Sequence, residues 1–200
     1  GWGMGATSAI SGVTAGLGAR LVATVPVPLP ESPAPAPAPL PAQVEQRSPS
    51  WIELELAERM PDLPEADLAR LAGVIEEESA AAALEPVLVL AIIEVESGWD
   101  PGAISHRGAR GLMQLRAAAM ETVLRGDAGP ADPHDPVTNV RAGIRYFGRM
   151  VRTFRDADLA LVAYNAGPTR LASYLQAAGE VPEHLLGYPR RVRRAERLLR

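Results

Sequence analysis

Between Pro86 and Ser97 the chain reads Val87, Leu88, Val89, Leu90, Ala91, Ile92, Ile93, Glu94, Val95, Glu96. A segment this apolar on every side can be a helix only if other elements surround it, so it belongs in the middle of a core. Pro86 suits its first position, Gly98 ends it, and Pro101 prevents its continuation. No alternating apolar and polar run of strand length appears anywhere in the chain, and there is no internal repeat. The constraint therefore points to an all-α domain built around residues 86–97.

The neighbouring segments supply the other helices. Ser50 can cap a short helix through Met60. Pro64 suits a first helical position, and Leu68, Leu71, Val74 and Ile75 follow it at helical spacing. Residues 111–125 read as a further helix. Asp135-Pro136 reads as a cap followed by a first-turn proline, and Val140, Ile144, Phe147, Val151 and Phe154 form one apolar stripe beyond it. Leu159 to Tyr164 is helical and breaks at Gly167-Pro168. Residues 170–178 and 189–200 complete the set.

Residues 26–41 hold eight prolines, which fix φ and remove backbone donors. That stretch predicts an extended, semi-rigid spacer. The organisation expected is a leader-like segment and Pro/Ala-rich linker over 1–47, then a folded domain over 48–200. The run from Ala9 to Ala19 resembles a remnant of a signal h-region, although no basic stretch precedes it. It falls short of the about 20 uncharged apolar residues of a membrane span.

Charge and composition exclude several chemistries. The chain has no cysteine, hence no disulfide framework, thiolate metal site or cysteine nucleophile. His106, His134 and His184 lie far apart without ligand spacing, which predicts surface or loop histidines and no metal. The formal charge of −4 is unevenly spread: the first hundred residues carry four arginines against fifteen carboxylates, the second hundred sixteen against nine. Such a basic half can attract an anionic polymer. Nucleic acid is not the expected partner, because no recognition motif or aromatic interleaving accompanies the arginines. The densest tract, Arg190 to Arg200, predicts a solvated helix face.

The two glutamates of the apolar helix carry the chemistry. Glutamate is rarely buried without a reason. Two residues apart on a helix, Glu94 and Glu96 face opposite sides and cannot act as a close pair. Glu96 lies in the last turn among apolar neighbours, where burial and the helix dipole both raise a carboxylate pKa. A glutamate protonated near neutral pH can donate to a leaving oxygen. Glu94, deeper in the helix, requires an arginine or backbone partner. For either residue a structural ion pair is the alternative.

Three segments, Glu96-Ser97-Gly98-Trp99, Gly111-Leu112-Met113-Gln114-Leu115 and Ala163-Tyr164-Asn165-Ala166-Gly167-Pro168, stand in an order and spacing similar to the signatures of soluble lytic transglycosylase catalytic domains, the goose-type lysozyme-like family. The resemblance covers about residues 65–192. It implies an α-helical lysozyme-like domain with a small irregular lobe around 100–115. It implies that Glu96 is catalytic. It also implies that Ser105, Gln114, Tyr164, Asn165 and Tyr188 bind or frame substrate, the Tyr164 hydroxyl helping to orient the glutamate or an N-acetyl group. Met113 reads as packing. Arg116 departs from the family, placing a long cation where methionine or threonine is common. Near the C-terminus His184 falls in register and Glu183 does not, and Pro189 replaces valine as the start of the last helix.

The activity so implied is lytic cleavage of the MurNAc-β-1,4-GlcNAc bond of peptidoglycan, giving a 1,6-anhydroMurNAc end with no metal or organic cofactor. No second acid stands out near Glu96; Asp100 reads as a turn residue. The expectation is a monomer working on glycan strands in the periplasm or cell envelope, with an envelope or secretion-machine partner left open. Two rival readings fit the same residues: a muramidase of the same fold, and a non-catalytic peptidoglycan-binding module of a secretion apparatus.

Overall fold

A computed structural model describes residues 50–127 and 132–200. The leader-like segment and linker expected over 1–47 lie outside the described residues. Eight α-helices follow in order: α1 (Trp51–Arg59), α2 (Glu65–Ala82), α3 (Pro86–Ser97), α4 (Ala117–Val123), α5 (Pro136–Phe154), α6 (Ala157–Ala166), α7 (Pro168–Ala178) and α8 (Gly187–Leu198), with a 3-10 turn at Glu183–Leu185. Among the described residues there is no β-strand.

α3 is the central helix that its composition demands. Every residue from Val87 to Ile93 is at most 8% exposed. Pro86 opens it, and Gly98, in the left-handed region at φ 58°, closes it by donating its N–H to the Glu94 carbonyl. α8 packs along it, α2 lies against α5, and α5 against α6. Leu71, Ile75, Leu90, Ile92, Phe147 and Leu161 form the sealed centre. Among the described residues no helix is long and apolar enough to cross a membrane.

Local chemistry sets the helix starts. Ser50 and Glu53 form a reciprocal capping box at the head of α1. Asp135 accepts from the Thr138 N–H and Pro136 follows at the first position of α5. In the α5 stripe Val140, Ile144 and Phe147 are fully buried, while Val151 and Phe154 are half-buried against the same core. The C-terminal arginines form the solvated side of α8, with Val192 and Ala195 turned inward. Buried Glu78 of α2 is held by Arg145 at 2.7 Å and Arg141 at 3.2 Å, an ionic tie between α2 and α5.

Three boundaries differ from the sequence reading. Pro64 is the cap and Glu65 the first helical residue. The last helix starts at Gly187; Pro189 sits within its first turn, where a missing N–H leaves no intrahelical bond unmade. Residues 111–125 are not one helix: 111–116 form turns and only Ala117–Val123 coils. The cause is Asn139, fully buried on α5. Its Oδ1 accepts from the Met113 N–H at 2.8 Å, and its Nδ2 donates to the carbonyls of Arg110 and Pro133, both at 2.9 Å. These backbone groups are satisfied by a side chain, so no helix is needed to pair them. Gly111, at φ 74°, is required where it stands, since a Cβ there would collide with the Asn139 amide and the Pro133 carbonyl. The irregular lobe expected around 100–115 is thus real, stitched by isolated bridges Ile104–Arg110 and Arg110–Leu115.

Candidate active site

α3 delivers its two glutamates to different surroundings, as their spacing predicts. Glu94 Oε2 accepts from Arg59 Nη1 at 3.0 Å and from the Trp99 indole N–H, and the Arg59 guanidinium lies 5.6 Å above that buried ring. Of the arginine or backbone partner expected for Glu94 the structure shows an arginine, and the pair anchors the end of α3.

Glu96 is half-buried and opens onto a cleft of about 430 Å³. Its Oε1 accepts from the Tyr188 hydroxyl at 2.7 Å, and among the described residues no guanidinium pairs with it. Burial pushes its pKa from the ordinary 4.5 up to about 6, while the Tyr188 hydrogen bond and the charge of Arg191 pull it down less strongly. Burial and the nearby Glu96 charge raise the Tyr188 phenol well above its usual value, so it stays protonated and donates.

The cleft is walled by the lobe, the approach to α4, and the α6–α7 junction. Glu96, Ser105, Gln114, Tyr164 and Asn165 all line it, bringing together five of the six residues singled out by sequence. Ser105 Oγ accepts from the amides of Arg107 at 3.3 Å and Ala109 at 3.0 Å, folding the lobe wall. Gln114 stands at φ 47°, and its Nε2 donates to the carbonyls of Ala103 at 3.0 Å and Gly111 at 2.9 Å. Its Oε1 is left as an acceptor. Asn165 is exposed in the last turn of α6, and among the described residues its amide makes no hydrogen bond.

Two tyrosines make hydrogen bonds beside the cleft. The Tyr164 hydroxyl donates to the Met113 carbonyl at 2.7 Å, securing the loop, while the nearby Glu96 charge adds to burial in raising its phenol pKa; its ring packs edge-on against Phe147 and tilted against Tyr146. Tyr188 is only 3% exposed and does not line the cleft. Its hydroxyl touches the glutamate from within the core.

The remaining sequence features fall into place. Met113 is fully buried and Arg116 lines the cleft. Asp100 Oδ1 accepts from the Gly102 N–H at 2.8 Å, the bond of a turn. His184 packs on Tyr174, and exposed Glu183 pairs with Arg190. Arg170 and Tyr146 also line the cleft, although neither carries a sequence signal beyond its place on a helix. Asn139 did carry one, a short amide amid the apolar residues of α5. Among the described residues no group of three or more His, Asp or Glu side chains could hold a metal ion.

Comparison with known proteins agrees with this architecture. The chain is 35% identical over 99 residues to the soluble lytic murein transglycosylase of Escherichia coli K12, covering 46% of this chain and 15% of that protein. It is 30% identical over 92 residues to the endo-type membrane-bound lytic murein transglycosylase A of Klebsiella pneumoniae, covering 43% of this chain and 45% of that one. The chain therefore spans under half the length of each. Among solved structures, the 70 kDa soluble lytic transglycosylase of E. coli superposes with a TM-score of 0.59 at 23% identity, over 74% of this chain and 30% of that one. An inactive glutamate-to-glutamine mutant of the Pseudomonas aeruginosa enzyme superposes with a TM-score of 0.56 at 24% identity, over 64% and 23%. At such identities the likeness establishes the shared all-helical fold. A family match running over residues 73–186, more than half of the sequence and across Glu96, Gln114 and Tyr164, makes this chain a member of the Transglycosylase SLT domain family.

Proposed function

We propose that the chain is a peptidoglycan lytic transglycosylase, with residues 48–200 as its catalytic domain and Glu96 as its single acid and base. The observation that carries this reading is a glutamate with a pKa of about 6 facing an open cleft, no other carboxylate lining that cleft among the described residues. Glycosidases that use two carboxylates need the second within about 5–10 Å, across the scissile bond. A site with one must draw its nucleophile from the substrate.

In this scheme protonated Glu96 gives its proton to the glycosidic oxygen of the departing N-acetylglucosamine. The acetamido oxygen of N-acetylmuramic acid bonds to C1 as the C1–O bond breaks. Glu96, now a carboxylate, takes the proton of the C6 hydroxyl, whose oxygen bonds to C1 and displaces the acetamido oxygen. The acid is restored, no water is consumed, and a 1,6-anhydro end results. Tyr188 holds one carboxylate oxygen through both steps; Ser105, Gln114 and Asn165 border the space for the sugars. Tyr164 supports the floor through Met113. This activity belongs in the periplasm or cell envelope, where murein lies, and residues 1–47 fit a leader and spacer that would deliver it there.

Digestion of purified sacculi, with product masses, tests the reading. The native chain and Glu94→Gln should release anhydro muropeptides, and Glu96→Gln should release none. Retained turnover in Glu96→Gln would sink the assignment. Products heavier by one water would instead identify a muramidase, and tight binding without turnover a non-catalytic module.

A further inference from the structure

The charge on the cleft wall is one-sided. Arg107 from the lobe, Arg116 from the approach to α4 and Arg170 from the start of α7 all line it. All three are exposed, and among the described residues none pairs with a carboxylate. Arg59, Arg141, Arg145 and Arg193, by contrast, each have an acidic partner elsewhere in the fold. Glu96 is the lone carboxylate on that wall. Three unneutralised cations from three separate elements around one concave space favour an anionic ligand.

The repeating sugars of a murein strand are neutral. Its negative charge sits on the lactyl arm of each muramic acid, which ends either in its own carboxylate or in a peptide that bears carboxylates. We infer that Arg107, Arg116 and Arg170 form an anion subsite for the carboxylates of the muramyl lactyl arm, and that this subsite makes the cleft prefer muramyl strands to neutral N-acetylglucosamine polymers. Guanidinium is suited to the task, since it grips a carboxylate through two parallel hydrogen bonds and cannot lose its charge. Arg116, the departure from the family pattern, then acquires a role as a specificity determinant. The inference rests on the murein reading of the site.

Calorimetric binding to the Glu96→Gln chain, which should not turn over, provides the test. The probes are the N-acetylglucosamine tetramer, a peptide-free GlcNAc-MurNAc tetrasaccharide, and the same tetrasaccharide bearing tetrapeptide stems. At low salt the muramyl probes should bind about tenfold more tightly than the neutral tetramer. Raising salt from about 20 to about 300 mM should erode that preference several-fold by screening. Adding Arg107→Gln, Arg116→Gln and Arg170→Gln should remove most of it. A gain confined to the stem-bearing probe assigns the subsite to peptide carboxylates, a gain confined to the peptide-free probe assigns it to the lactyl carboxylate, and an equal gain for both shows that it accepts the carboxylate of either kind of arm. Equal affinity for all three probes, or an undiminished preference in the triple-arginine variant, would overturn the inference. Neither result touches sacculus cleavage by the native chain, whose absence would instead defeat the murein reading.

Discussion

Substituting glutamine for Glu96 removes a charge that the fold holds at a cost. Burial raises the carboxyl pKa from 4.5 to about 6. At about 1.4 kcal/mol per pH unit, the ionised side chain destabilises the native state by about 2 kcal/mol. The folded chain holds this proton more tightly than the unfolded chain, so the penalty is absent below about pH 4.5, grows through about pH 6, and is complete above it. Glutamine keeps an amide oxygen for the Tyr188 hydroxyl while removing the ionisation. Urea unfolding of both chains from pH 4 to pH 8 isolates the effect, because all other carboxylates cancel in the difference. The variant should gain about 2 kcal/mol relative to the native chain between those limits, or about 4–8 °C in Tm for a domain of this size. A difference that stays flat with pH, or that grows toward acid, would refute the claim that burial controls this group.

The same glutamate must hold its proton to act as an acid, so kcat/KM on sacculi should fall about tenfold per pH unit above pH 6. Tyr188→Phe removes a bond that favours the charged form and should move that fall to higher pH; a downward move in the pH–rate profile would contradict the assigned role. Asn139→Ala leaves the Met113 N–H and the Pro133 carbonyl without a partner and strips the Arg110 carbonyl of one of its two donors, the Leu115 N–H remaining. It should cost about 2–4 kcal/mol by chemical denaturation, and activity should drop with it as the Gln114 loop loosens. Gly143→Ala would bring a Cβ onto Met113 Sδ and within 2.7 Å of Met113 Cβ. Thermal melts should show a loss of about 1–3 kcal/mol.

Where chemistry acts within a few residues, the sequence already contained the answer. Pro86 and Gly98 bound α3 at the expected residues, and helical geometry alone put Glu94 and Glu96 in different surroundings. Ser50 and Asp135 cap as their side chains dictate. What stayed hidden depends on partners distant along the chain. Tyr188 meets Glu96 across 92 residues, a contact that only the packing of α8 on α3 creates. Asn139 reaches back 26 residues to Met113 and overrides the helical propensity of 111–116. The three lining arginines come together only when lobe, α4 and α7 converge, so a count of basic residues could report an excess of charge but not its address.

Met113 occupies a turn, yet both halves of its peptide are claimed by helices: Asn139 of α5 takes the N–H and Tyr164 of α6 takes the C=O. For its amide to meet solvent, these two long-range grips have to come apart along with the core beneath. Its hydrogen exchange should therefore be as slow as that of the α3 interior, while the exposed Arg107 and Gly108 amides, each held only by a local bond to Ser105, exchange faster. The floor of the cleft would keep its shape while its rim breathes, a division that suits the ligand proposed above.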